Sequence, residues 1–297
     1  MIYVIVGPTG VGKTALSIAL AKALNTEIIS CDSIQIYKGL NIGSAKIKPS
    51  EQSGIKHYMI DILEPTEAFS VAQYQHEVRA LIDEFIEKGK TPLLVGGTGF
   101  YLKSVLHNYN FDQSHRDLDF EASYDLVSNI ELFEYLKRLD PASTNKLHPN
   151  NRKRVLQALY RAKQGVKISD QNKGHEKLYD YTMIGLTMPK EQLYQRINER
   201  VDAMIGEGLI EEVRSLYDRG IKNQSIEAIG YKELYAYFEG LISLEEAITT
   251  IKRNSRRYAK RQYTFFNNQF EVNWFEVNVN DFDQTIQAVL NYIQKHE

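Results

Sequence analysis

The chain has 297 residues, 43% hydrophobic and 25% charged, with a formal net charge of −2. That length supports a large core in one or two domains, and that balance is ordinary for a soluble globular protein. It excludes attachment to nucleic acid by bulk charge, leaving only local basic patches for such a partner, and no apolar stretch approaches a membrane span.

Residues 2–6, Ile-Tyr-Val-Ile-Val, read as a buried strand, and residues 15–20 begin a helical pattern running to about Leu24. Between them lies Gly7-Pro8-Thr9-Gly10-Val11-Gly12-Lys13-Thr14. Strand, glycine-rich turn and helix form the context in which G-x-x-x-x-G-K-T is a phosphate-binding loop. Loop amides and the helix N-terminus attract an anion, Lys13 reaches a terminal phosphate oxygen, and Thr14 offers a hydroxyl to Mg²⁺. A strand committed to that loop is not a signal peptide.

Residues 27–31 read as a second strand, ending at Asp32-Ser33-Ile34-Gln35. A strand–helix–strand unit requires parallel strands and a right-handed crossover, which brings Asp32 to the same carboxyl edge as the phosphate loop. Open α/β sheets bind ligands at that edge. An Asx turn is the everyday use of Asp after a strand, but the location favours a functional carboxylate. The Gln35 amide matches the N6/N7 edge of adenine. Cys31, the only cysteine, reads as strand filler, and its lack of a disulfide partner points to a reducing cytoplasm.

Residues 58–63 are a third strand candidate, in which Asp61 could be a metal-side acid, although a carboxylate satisfied near a strand end is the plainer reading. Ser70-x-x-Gln73 is a capping box for a helix to Gly89. The buried strand 91–95 then ends in Gly96-Gly97-Thr98-Gly99. Nucleotide triphosphate enzymes usually place a metal-side acid after such a strand. Here glycines leave room for something bulky to approach the backbone, and Thr98 supplies a hydroxyl.

From about residue 108 the chain turns polar, with helical patterns at 132–139 and 151–163, before a strand resumes at 181–186. Helices follow at 190–205 and 209–219, and Ser243-x-x-Glu246 caps a long helix to about residue 267. A strand at 272–277 and a helix at 281–295 close the chain. The expected architecture is α/β, a P-loop-type parallel sheet flanked by helices, with a mainly helical insertion domain. Residues 1–108 and 181–297 form the core in this reading, and 109–180 the insertion.

The long helix carries Lys252, Arg253, Arg256, Arg257, Lys260 and Arg261 with no acid between 252 and 261. Like charges four apart repel by roughly 0.2–0.5 kcal/mol per pair, and a polyanion partner removes that repulsion. Arg152, Lys153, Arg154, Arg161 and Lys163 form a second basic group on the insertion. The residues alone leave two readings open: a kinase or NTPase holding ATP in the loop, or a tRNA-modifying transferase holding a diphosphate leaving group there.

The sequence resembles the tRNA dimethylallyltransferases (tRNA isopentenyltransferases) over nearly its whole length. The likeness lies in residues 7–14, 32–46, 57–65 and 95–101, in Leu147-His148-Pro149-Asn150-Asn151-Arg152-Lys153-Arg154-Val155, in Ala228-Ile229-Gly230-Tyr231-Lys232-Glu233, and in Arg256-Arg257-Tyr258-Ala259-Lys260-Arg261-Gln262. A generic P-loop kinase would share only the first.

The resemblance implies transfer of a dimethylallyl group from dimethylallyl diphosphate to N6 of an adenosine beside the tRNA anticodon, with Mg²⁺ required. The loop then holds an allylic diphosphate rather than ATP, which accounts for the missing acid after strand 91–95. It further implies catalytic roles for Asp32, Lys13 and Thr98, diphosphate binding by Gly7, Pro8, Thr9, Gly10, Val11, Gly12, Lys13 and Thr14, and Mg²⁺ on Thr14. Asp32, Ser33, Ile34, Gln35, Arg152, Arg154, Arg256, Arg257 and Arg261 are the expected tRNA contacts, the basic ones clasping the anticodon arm. A cytoplasmic monomer is expected. One departure stands out: several relatives carry Arg just before Ala-Ile-Gly-Tyr, where this chain has Glu227, so either Arg256 or Arg257 stands in or the diphosphate contact is absent. The competing readings are a transferase for free adenine nucleotides, a kinase, and a non-enzymatic RNA-binding module.

Overall fold

The computed structural model describes residues 1–109, 111, 117–145, 147–165 and 176–296. It divides into two compact units, residues 1–106 with 178–297, and residues 107–177.

In the larger unit the first strand, β1 (Ile2–Val6), enters the phosphate loop and then α1 (Lys13–Ala23). β2 (Ile28–Cys31), β3 (His57–Tyr58), α2 (Val71–Glu87), β4 (Leu93–Gly96) and α3 (Gly99–Leu106) follow. The smaller unit contributes α4 (Leu118–Ala122), α5 (Asn129–Leu139), α6 (Pro141–Thr144) and α7 (Arg152–Lys163). The chain returns through β5 (Tyr181–Thr187), α8 (Lys190–Gly206), α9 (Leu209–Asp218), α10 (Tyr231–Phe238), α11 (Leu244–Gln269), β6 (Asn273–Glu276) and α12 (Phe282–His296).

The six strands pair in the order β3-β2-β4-β1-β5-β6, every pair parallel. β1 is buried throughout, Ile2, Val4 and Val6 packing into one core and Tyr3 and Ile5 into the other. A strand covered on both faces is what a parallel sheet between helical layers needs. The capping boxes of α2 and α11 form as expected, with Ser70 paired to Gln73 and Ser243 to Glu246.

The third strand is shorter than expected. Met59 (φ 62°) and Asp61 (φ 55°) take left-handed backbone, so pairing stops at Tyr58 despite the apolar run beyond. Two helices escape the periodicity of the sequence. α3 follows the Gly-Gly-Thr-Gly turn and is apolar and buried nearly all round, and α10 is aromatic-rich, starting at Gly230.

In the smaller unit, α5 and α7 pack through Leu132, Leu136, Val155 and Leu159. Arg152 lies inside this packing: its guanidinium donates to the Val127 carbonyl at 2.7 Å and to Asn129 Oδ1 at 3.1 Å. Lys153 and Arg154 point to solvent.

Candidate active site

The phosphate loop sits where β1 meets α1. Gly7 has φ 141°, and a Cβ there would lie 2.7 Å from the Leu186 carbonyl oxygen, so no other residue fits the turn. Thr9, Gly10, Gly12, Lys13 and Thr14 line a cleft of about 610 Å³. The Val11 side chain does not: it is buried in the core, so only its backbone could serve the expected diphosphate set. Gly7 and Pro8 act through their carbonyls, which accept from Lys13 Nζ at 2.9 and 2.8 Å. Burial, then the charge of Arg200, bring the Lys13 pKa down to about 7, with Asp32 pulling the other way.

The β2 and β1 carboxyl ends lie two strands apart with β4 between them, so Asp32 shares the cleft with the loop. Asp32 Oδ1 accepts from Ile34 N at 2.8 Å and Gln35 N at 3.3 Å. This is the Asx turn of the everyday reading, and it engages only one of the two carboxylate oxygens. Oδ2 receives no hydrogen bond among the described residues. The Gln35 amide is already engaged, donating to the Ser44 and Ala45 carbonyls at 3.2 and 3.4 Å.

Asp61 is not a metal-side acid at this cleft. Lys46, nearly buried, reaches it at 2.5 Å while also donating to the Tyr37 carbonyl and Asn41 Oδ1. The room beside Gly97 and Gly99 is also accounted for: Gln262 and Phe265 of α11 fill it, and a Cβ would lie 2.1 and 2.2 Å from them. The bulky neighbour is the protein's own helix. Gln262 accepts from Thr9 N at 3.0 Å and donates to the Gly97 carbonyl at 3.1 Å, tying the phosphate loop to the β4 turn. Thr98 lines neither cleft described here. Its hydroxyl accepts from Ser33 N at 3.3 Å and meets the Tyr258 hydroxyl, so it braces the backbone beside Asp32.

A second cleft of about 390 Å³ is lined by Ser33, Ile34, Met204, Leu209, Glu227, Ile251 and Arg261. It shares Thr9, Asp32, Ser44, Ala45, Arg200 and Tyr258 with the first. Asp32 therefore stands where the two compartments meet. Burial, then Asp32, push the Tyr258 pKa up to about 12, so its phenol keeps its proton.

Two arginines escaped the sequence reading. Arg196 Nε donates to the Gly10 carbonyl at 3.2 Å, and Arg200 Nη1 to Thr9 Oγ1 at 3.4 Å. Both line the first cleft, from one face of α8 at i, i+4. They occupy the position expected of Arg256 or Arg257, which line neither cleft. Arg256 instead bonds Asn198 Oδ1 at 2.5 Å, and Lys252 pairs with Asp202 at 2.6 Å. One basic row of α11 thus faces α8, which relieves its repulsion, while Arg253, Arg257, Lys260 and Arg261 stay exposed.

Fold and site together define a P-loop-type α/β protein in which a cleft beside the glycine-rich loop opens past an acid onto a second compartment. The family model for IPP transferase matches residues 35–269. A tRNA dimethylallyltransferase from Anoxybacillus flavithermus is 49% identical over 299 residues, covering 99% of this chain and 96% of its own. The chain belongs to this family, the tRNA dimethylallyltransferases or IPP transferases. Among solved structures, the full-length tRNA isopentenylpyrophosphate transferase from Bacillus halodurans matches at TM-score 0.77 and 47% identity, covering 99% of this chain and 95% of that one. A eukaryotic dimethylallyltransferase acting on tRNA matches at TM-score 0.83 and 27% identity, covering 99% and 79%.

Proposed function

We propose that the protein transfers a dimethylallyl group from dimethylallyl diphosphate to N6 of an adenosine adjacent to the tRNA anticodon, releasing diphosphate. The observation that carries this reading is the pair of clefts meeting at Asp32. The donor's diphosphate lies on the loop amides, Lys13, Arg196 and Arg200. The acceptor adenine enters from the side of Ser33, Ile34 and Arg261.

The donor's C1–O bond breaks and a C1–N6 bond forms. Negative charge collects on diphosphate, where preorganised loop amides and cations stabilise it. Adenine N6 becomes acidic only as it bonds to carbon, so a weak base suffices, and Asp32 Oδ2 accepts the proton late in the step. The Thr14 hydroxyl and the donor's own oxygens are the hard donors that would suit Mg²⁺. Among the described residues no three His, Cys, Asp or Glu side chains gather elsewhere as a metal site. When bound, Mg²⁺ would add positive charge to the leaving diphosphate.

A stacked or paired adenine cannot reach this recessed junction, so the nucleotide is flipped out of the anticodon loop. Exposed Arg154, Arg257 and Arg261 are suited to phosphate contacts that position the arm. Among the described residues no helix is long and apolar enough to cross a membrane. A tRNA acceptor supports the reading of the enzyme as cytoplasmic.

The test is a transfer assay with Mg²⁺, labelled dimethylallyl diphosphate and unmodified tRNA, with AMP and ATP in parallel. Label in tRNA and not in AMP is expected. Label in AMP alone would make free nucleotides the acceptor. Phosphate release from ATP without transfer would make the loop an NTP site.

A further inference from the structure

The segment from Asp32 to Lys46 supplies both clefts with much of their wall, yet it contains no strand or helix. Ala45, which lines both clefts, has φ 50°, a conformation that an L residue keeps only where its surroundings over-determine it. Those surroundings are specific. Glu212 of α9 accepts from Asn41 N at 2.9 Å, Ile42 N at 2.8 Å and Gly43 N at 3.1 Å. Its fourth partner is the Tyr231 hydroxyl at 2.7 Å. The Tyr231 ring packs against Gly43, where a Cβ would lie 2.5 Å from it.

Four donors on one carboxylate, three of them consecutive backbone amides, make this the strongest polar anchor on the segment. Ser44 and Ala45 follow immediately, and their carbonyls hold the Gln35 amide. A continuous chain of contacts therefore runs from Glu212 through residues 41–45 to Gln35, next to Asp32. The phosphate loop is held separately, by Gln262 and the arginines of α8.

We propose that Glu212, with Tyr231, is a positioning residue for the acceptor: it sets the 41–45 backbone, whose Gly43, Ser44 and Ala45 line the second cleft, and so the entrance of the adenine, without touching either substrate. This rests on the reading of the second cleft as the acceptor's. Loss of the anchor should act first on the acceptor: Gly43 lines only the second cleft, and although Ser44 and Ala45 border both, the loop that cradles the diphosphate has its own supports, so donor affinity should stay near that of the wild type.

The experiment compares wild type with Glu212→Gln, Tyr231→Phe and, as a control, Glu211→Gln on the exposed face of α9. Four readouts are taken: kcat and KM for tRNA, donor affinity, the thermal midpoint, and amide hydrogen exchange over residues 32–46. Glu212→Gln keeps the size but turns an NH₂ towards amides that need an acceptor. It should speed exchange at 41–43 and lower kcat/KM for tRNA by about 100-fold, chiefly through KM, with donor affinity unchanged. Tyr231→Phe, which removes one hydrogen bond, should cost about tenfold in the same parameter and still fold. Glu211→Gln should match wild type.

Equal weakening of donor and acceptor, or a loss of rate that tracks the thermal midpoint with KM unchanged, would make Glu212 merely structural and overturn the proposal. Unchanged acceptor kinetics in Tyr231→Phe would overturn it even if Glu212→Gln fails to fold. If wild type itself does not prenylate tRNA, the acceptor reading fails, and unaltered exchange at 41–43 in Glu212→Gln would separately remove the anchor.

Discussion

Asp32 Oδ1 closes the Asx turn, and Oδ2, which receives no hydrogen bond among the described residues, is the oxygen proposed above to take the acceptor's proton. Asparagine keeps an acceptor for the turn and removes the base, so Asp32→Asn isolates the chemistry. It should lower kcat about 10²–10⁴-fold with donor affinity near normal, and an unchanged single-turnover rate would remove Asp32 from the role. Lys13 carries a second residue-scale prediction. Its pKa falls from 10.5 to about 7 in the folded protein, so between those values the unfolded chain holds a proton that the folded one has lost. Stability of the unliganded protein therefore rises with pH across that window. An arriving diphosphate restores the charge, so donor binding above pH 7 takes up a proton and weakens as pH rises. Calorimetric titrations at pH 8 in buffers of different ionisation enthalpy should show uptake approaching one proton. Identical heats in both buffers would mean that Lys13 is already charged.

Among the elements, α11 does most to assemble the site. Its buried Gln262 joins the phosphate loop to the β4 turn, and Tyr258 forms the wall between the compartments. Gln262→Leu leaves the Thr9 amide and the Gly97 carbonyl without these partners. About 1–3 kcal/mol of stability should be lost for each, together with donor affinity; denaturant titration alongside donor binding measures both, and unaltered values would show the link to be dispensable. In the smaller unit Arg152 belongs to the element that carries it, because its guanidinium holds the carbonyl end of the Tyr124–Val127 turn against α7. Arg152→Glu would therefore disturb folding of the unit, and tRNA binding is better probed one turn face away.

At the scale of the whole molecule, a chain of net charge −2 has to hold a polyanion through patches. Arg154→Glu, at an exposed position, should weaken tRNA binding and lower the slope of log affinity against log salt by about 1. Parallel salt titrations of wild type and variant would show it, and equal slopes would reduce that patch to a solvated face. Glu227 opens on the second cleft, whereas the cations that flank the phosphate loop come from α8.

Local pattern sufficed for the parallel strands, the phosphate loop, the capped helices and the position of Asp32, because each depends on neighbours within a few residues or on the compulsory handedness of a strand–helix–strand unit. It also sufficed for the family likeness, which lies in contiguous motifs. The roles of Arg196 and Arg200, of Gln262, and of Glu212 were beyond it. Each acts across 150 residues or more of chain, and a lone Arg or Glu on a helix face reads as solvated until packing brings it to a backbone amide or carbonyl. Lys46 satisfies Asp61, as the plainer local reading has it. The glycines after β4 are harder: a bare backbone suggests a ligand, but here the side chains of α11 arrive first.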